Sequence, residues 1–84
     1  MFFTYVLECN DGSLYTGWTN NLNARIDTHN AGKGAKYTRS RCPVKLLGHW
    51  EFDNKSDALK HEAQIKRMER KAKLALLKTI SGTR

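Results

Sequence analysis

At 84 residues the chain has room for one small domain and no second core, so 1–84 reads as a single unit. Fifteen Lys and Arg against eight Asp and Glu give a net charge of +7, which favours polyanions because every neutralised phosphate releases condensed counterions. No run approaches the roughly 20 apolar residues of a membrane helix, and Cys9, Cys42, His29, His49 and His61 are too scattered for a zinc site, so reduced thiols and a cytoplasmic location are expected.

The first element is the aromatic and branched run Phe2 to Cys9, which lacks a basic leader and is interrupted by Glu8, so it reads as a strand and not a signal peptide. Ser13 to Thr19 resumes the same composition after Asn10-Asp11-Gly12, a hairpin signal. A two-residue turn would put Tyr5 and Tyr15 on opposite faces. A three-residue loop with Gly12 left-handed pairs Leu7 with Tyr15 and Tyr5 with Gly17. The second register is the expectation here. It places the two phenols diagonally on one face, within roughly 7–8 Å of each other, and leaves open space over Gly17.

Asn20 or Asn21 is the predicted cap of a helix running to about Asn30, with Leu22, Arg25, Ile26 and His29 along one stripe. Residues 32–41 hold two glycines, four basic residues and Tyr37, and read as a mobile loop. Val44 to Phe52 is the third strand. Asn54 or Ser56 caps the next helix, Asp57 to about Met68, whose apolar arc of Ala58, Leu59 and Ile65 includes Glu62. A last helix from Lys71 to Ile80 is expected to pack Leu74, Leu77 and Ile80. The order β-β-α-β-α-α makes an α/β chain of the α+β kind: a three-stranded antiparallel sheet flanked by helices.

Two phenols, a cation and a hard oxygen ligand are the minimum set for attacking a phosphodiester. A phenol with its reference pKa near 10 needs a cation beside it to act as a base, and Arg25 supplies one. Glu62 is an inward-facing carboxylate of the kind that either pairs, with Lys66 at i, i+4, or binds Mg²⁺ or Mn²⁺. Lys36, Tyr37, Thr38, Arg39 and Arg41, with Lys66, suit contacts to a nucleic-acid strand, by charge and by base stacking, and a merely solvated loop is the equal alternative for any one of the loop residues. Gly17 is added for the space above it. The expectation is that Tyr5, Tyr15, Arg25 and Glu62 converge on one pocket.

The spacing of Tyr5, Tyr15-Thr16-Gly17, Asn21-Leu22-x-x-Arg25 and the late Glu62 resembles the GIY-YIG nuclease family. The runs Asp11-Gly12-Ser13-Leu14-Tyr15-Thr16-Gly17 and Gly32-Lys33-Gly34-Ala35-Lys36-Tyr37-Thr38 are similar to those of its small stand-alone bacterial members. The resemblance implies hydrolysis of phosphodiesters with one divalent cation. It makes Tyr5 the general base with Tyr15 beside it, Arg25 the catalytic arginine, His29 a phosphate contact and Glu62 the metal ligand. It also implies nucleic acid as partner, DNA ahead of RNA, in repair or processing of branched, damaged or single-stranded DNA, with specificity left to a protein partner. Two positions depart from the pattern: Phe3-Thr4-Tyr5 keeps only the tyrosine of Gly-Ile-Tyr, and Trp18 follows Gly17. A non-catalytic nucleic-acid-binding module on the same scaffold is the competing expectation, and Trp18 favours it.

Overall fold

The run Phe2–Glu8 is apolar on both of its faces, and it becomes the central strand, β1, with residues 4–7 all buried. The computed structural model describes the backbone of residues 1–81 and the side chains of 1–79. β2 (Leu14–Thr19) and β3 (Lys45–Phe52) pair antiparallel on either side of β1, in the order β2-β1-β3. Helices α1 (Leu22–Asn30) and α2 (Lys36–Arg39) fall between β2 and β3 in sequence, and α3 (Lys55–Lys66) and α4 (Arg70–Ser81) follow. This is the expected sheet flanked by helices, with one short helix more than expected. No helix among the described residues is long and apolar enough to cross a membrane.

The hairpin takes the expected register. Leu7 pairs with Tyr15 and Tyr5 with Gly17, and the Cys9 N–H donates to the Ser13 carbonyl at 2.8 Å, so Asn10, Asp11 and Gly12 form the loop. Gly12 has φ 83°, a left-handed conformation that costs a side-chain-bearing residue about 1 kcal/mol or more.

Alternation along β1 divides the core into two layers. Tyr5, Leu7, Cys9 and Val44 face α1 and pack with Tyr15, Leu22, Ile26 and Leu46. Val6 faces α3 and α4, where it clusters with Ile65 and Leu77 and packs with Leu14, Leu47, Trp50 and Leu76. A bulge in β3 makes both layers possible: Gly48 pairs with Val6 but Leu46 with Leu7, so the extra residue Leu47 turns to the far face. The Thr4 hydroxyl donates to the Ala58 carbonyl at 2.8 Å, which fixes α3 close against that face.

Three expectations fail at this level. The segment 32–41 is not a mobile loop. It contains α2 and is clamped to the hairpin, with Asn10 N–H donating to the Arg41 carbonyl at 2.8 Å and Arg41 Nε to Asp11 at 3.0 Å. Leu59 is 36% exposed because small Ala58 takes the close contact with the sheet and turns its neighbour outward. Leu74 is 36% exposed because Leu76 and Leu77 form the seam of α4. Packing by Ile80 concerns a side chain outside the described residues.

Candidate active site

Asn21 starts α1 by accepting the Ala24 N–H at 3.2 Å, and this cap sets which helix face meets the sheet. Arg25 and His29, one turn apart, are thereby aimed at Tyr5. Arg25 Nε donates to the Tyr5 Oη at 3.4 Å, and Tyr5 Oη lies 2.9 Å from His29 Nε2. Tyr15 lies diagonally across the hairpin, its ring centre 6.4 Å from that of Tyr5 and 5.3 Å from that of His29. Tyr5, Tyr15, Arg25 and His29 therefore do meet.

His29 and Tyr5 are both 0% exposed. The expected direct contact between His29 and a phosphate is thus not available, and His29 touches Tyr5 instead. Its other ring nitrogen, Nδ1, lies 2.7 Å from Thr38 Oγ1, whose hydroxyl donates to the Ala35 carbonyl at 3.0 Å. With its one proton committed to Ala35, Thr38 accepts from His29 Nδ1–H. The imidazole then presents a bare Nε2 to Tyr5, whose O–H donates to it. Burial, and after it the Arg25 charge, pushes His29 below its usual value of 6.5 and keeps the ring neutral. Burial also raises the Tyr5 phenol above 10.0; the Arg25 hydrogen bond opposes that, while the charges of Tyr15 and Glu62 add to it.

Thr38 was expected at the substrate and is instead 0% exposed, the anchor of this chain. Gly17 also differs from expectation, since the space above it is filled. A Cβ there would lie 2.5 Å from Tyr5 Oη and 2.7 Å from its Cζ, so the absent side chain is what admits the phenol. Gly34 does the same for His29, since a Cβ would meet Nδ1 closer than any real contact. A glycine four residues before Thr38 with no turn to make, since Gly34 has no positive φ, was the sequence signal for a ring lying over it.

Tyr37, expected to stack on bases, is 39% exposed and has two ring partners within the protein. It stacks on Tyr15 with ring centres 5.9 Å apart and planes 24° apart, and the Arg41 guanidinium covers it at 4.1 Å. Arg41 donates to the Tyr37 carbonyl at 2.7 Å and to Asp11 at 3.0 Å, which makes it a brace and not a free strand contact. Hydrogen bonds from Ser13, and then Arg41, hold the Asp11 carboxyl below its usual range. Lys36 and Arg39 stand exposed on α2, where a polyanion could meet them.

Contrary to the expected convergence, Glu62 sits on a helix that covers the sheet face away from the phenols. Its α3 packs on the Thr4 and Val6 face, and its carboxylate pairs with Lys66 at 3.6 Å, so Lys66 is engaged rather than open to substrate. Only its charge reaches Tyr5. The Glu62 side chain is 16% exposed and that of Lys66 53%, so the lysine can swing to solvent while the carboxylate stays. Among the described residues no three His, Cys, Asp or Glu gather to hold an ion. A single carboxylate still fits Mg²⁺ or Mn²⁺, which keep waters and take further oxygens from a phosphate. Thr16 is on the sheet face that α3 covers, between Trp18, which lies under Lys55, and Leu14, which packs against the cluster of Val6, Ile65 and Leu77. Its Oγ1 is buried with no hydrogen-bond partner among the described residues.

A family model described as the GIY-YIG catalytic domain matches residues 1–75. A UPF0213 protein of Streptococcus agalactiae is 54% identical over 90% of this chain and 86% of its own length. One from Clostridium perfringens is 53% identical over 96% and 87%. The solution structure of the protein EF2693 from E. faecalis is 43% identical, with a TM-score of 0.64 over 94% of this chain and 84% of that one. That of a UPF0213 protein from Bacillus halodurans is 44% identical, with a TM-score of 0.61 over 94% and 85%.

Proposed function

The chain belongs to the GIY-YIG family, a family of nuclease domains, and on that premise we propose that it hydrolyses phosphodiester bonds in DNA with the help of one divalent cation. The observation that carries the reading is the hydrogen-bonded chain Arg25–Tyr5–His29–Thr38, buried beneath a partly exposed arginine. A neutral histidine with its bare nitrogen toward the phenol is an acceptor through which that phenol can pass on a proton.

The Arg25 guanidinium takes a non-bridging oxygen of the phosphate and is drawn off Tyr5 Oη, which opens the phenol to the attacking water. As the water oxygen bonds to phosphorus, the P–O bond to the leaving strand oxygen breaks; the water's proton goes to Oη as the phenol's own proton passes to His29 Nε2. His29 holds the proton only in passing, since burial and the Arg25 charge disfavour imidazolium, and gives it back along the same path to the departing strand oxygen while the Thr38 oxygen keeps accepting from Nδ1–H. Glu62 would hold the cation, which supplies charge neutralisation at the phosphate. Lys36 and Arg39 attract the strand. Repair or processing of branched, damaged or single-stranded DNA is the setting we propose, with specificity supplied by a partner.

Nicking of supercoiled plasmid and of single-stranded DNA in Mg²⁺ or Mn²⁺ tests the reading. Tyr5→Phe and His29→Gln should each lower the rate by about 10²–10⁴-fold, and Arg25→Ala by about 10²–10³-fold. Salt-dependent binding with no product in either metal would replace the nuclease reading with that of a binding module.

A further inference from the structure

The proposed chemistry does not use Trp18. The indole is half-buried at the end of the edge strand β2, where that strand turns into α1. An open groove of about 290 Å³ lies there, lined by Trp18, Thr19, Asn20 and Arg25. Arg25 is the residue that also bonds Tyr5, so the groove reaches the guanidinium that covers the phenol. Lys55 does not line it. Its ammonium stands 4.9 Å from the indole centroid and steadies the ring as a cation–π partner.

The chemistry of these walls is specific. An aromatic plane binds another flat ring. Arg25 supplies a cation at one end. Asn20 is exposed and its amide has no hydrogen-bond partner among the described residues, so it can offer a donor and an acceptor to a ring edge. Thr19 is already committed, its hydroxyl accepting from Asn21 N–H at 3.1 Å, so it shapes the wall and reads nothing. The net charge of +7 favours a polyanion as the molecule that brings the ring.

We infer that the groove between Trp18 and Arg25 is a nucleobase subsite, in which the base next to the scissile phosphate leaves its stack and lies on the indole. The inference rests on the phosphodiesterase reading for its register relative to the phosphate, but not for the binding itself. It assigns Trp18 a role in choosing substrate: a strand whose base is already unstacked, as in single-stranded or distorted DNA, enters without the cost of extruding it.

The test is binding of a short single-stranded DNA in EDTA, which separates it from turnover. Trp18→Ala should weaken binding by about 5- to 100-fold, the range for losing one stacked base, while Trp18→Phe should keep most of it. An abasic residue moved along the strand should cost the wild type as much at one position only, and Trp18→Ala should then lose nothing further with that strand. In a Trp50→Phe background, DNA should quench the emission of Trp18, which reads the contact without any change at the groove. No quenching, or an equal loss with every abasic strand, would overturn the subsite. Coupling and quenching with no cleavage in Mg²⁺ or Mn²⁺ would support the subsite and sink the nuclease reading. Cleavage without coupling would do the reverse.

Discussion

Thr38→Val removes one hydroxyl and almost no volume from a residue that is 0% exposed. The Ala35 carbonyl keeps its two backbone donors, Thr38 N–H at 3.0 Å and Arg39 N–H at 3.2 Å, so it is not orphaned. His29 Nδ1, 2.7 Å from the lost oxygen, has no other partner among the described residues. One buried donor left unpaired costs about 1–3 kcal/mol. At roughly 4–8 °C per kcal/mol for a domain of this size, Tm should fall by roughly 5–20 °C.

The chemical consequence is separate from the stability loss. To recover a hydrogen bond, the imidazole moves its proton to Nε2 and donates it to Tyr5 Oη, and the phenol loses its proton acceptor. Thermal unfolding measures the first effect, and ring ¹⁵N shifts of His29 measure the second. Thr38→Ser is the control: it leaves a methyl-sized void worth about 1 kcal/mol but keeps the Nδ1–H tautomer. If Thr38→Val melts with the wild type and keeps that tautomer while Thr38→Ser costs more, the hydroxyl does not orient His29 and the relay has no anchor.

Gly17→Ala forces a Cβ against the Tyr5 hydroxyl and should cost about 1–3 kcal/mol by overpacking; combined with Tyr5→Phe it should cost less than the sum of the two, in a double-mutant cycle read by urea melts. His29 and His61 are both depressed below 6.5 by burial, so below that pH the unfolded chain takes up protons the native one refuses. Stability should therefore be full above pH 6.5 and fall as pH drops toward 5, with His61→Gln reducing the slope of Tm against pH. At the alkaline end the raised Tyr5 phenol works the other way, its stabilisation being lost as pH rises past 10. Lys66→Ala should tighten Mn²⁺ binding in calorimetry by freeing the Glu62 carboxylate, and Glu62→Gln should abolish it; equal binding by all three proteins would remove Glu62 as ligand.

What could be read ahead of the structure followed from local rules. The Asn10-Asp11-Gly12 loop fixes a register, and register fixes which tyrosines share a face, so Tyr5, Tyr15 and Gly17 came out on one face. The Leu22, Arg25, Ile26, His29 stripe aimed α1 in the same way. What could not be read depended on contacts between distant segments. Thr38 and Arg41 look like solvated loop residues in sequence, and only the clamp of Asp11 to Arg41 brings α2 over His29. Their substrate roles were assigned from charge and polarity, which do not distinguish a strand contact from an internal brace. Glu62 was placed on the inward side of its helix, and its 16% exposed side chain agrees. Helix periodicity says nothing of which sheet face the helix covers, and α3 covers the one away from the phenols.

Burial of the phenol bears on how such a site would be switched on. Tyr5 is sealed at 0% exposure, with Arg25 on its hydroxyl. This seal is an interaction that a phosphate competes for directly, since the guanidinium prefers an oxyanion to a neutral phenol. A DNA strand entering beside Trp18 would therefore lift that cover by its own charge. The resting protein would lose little by this, because Arg25 trades one partner for a stronger one. The order of events follows from burial: the strand must bind before the water can reach Oη, and a free phosphate ion alone should unseat Arg25 without organising the attack.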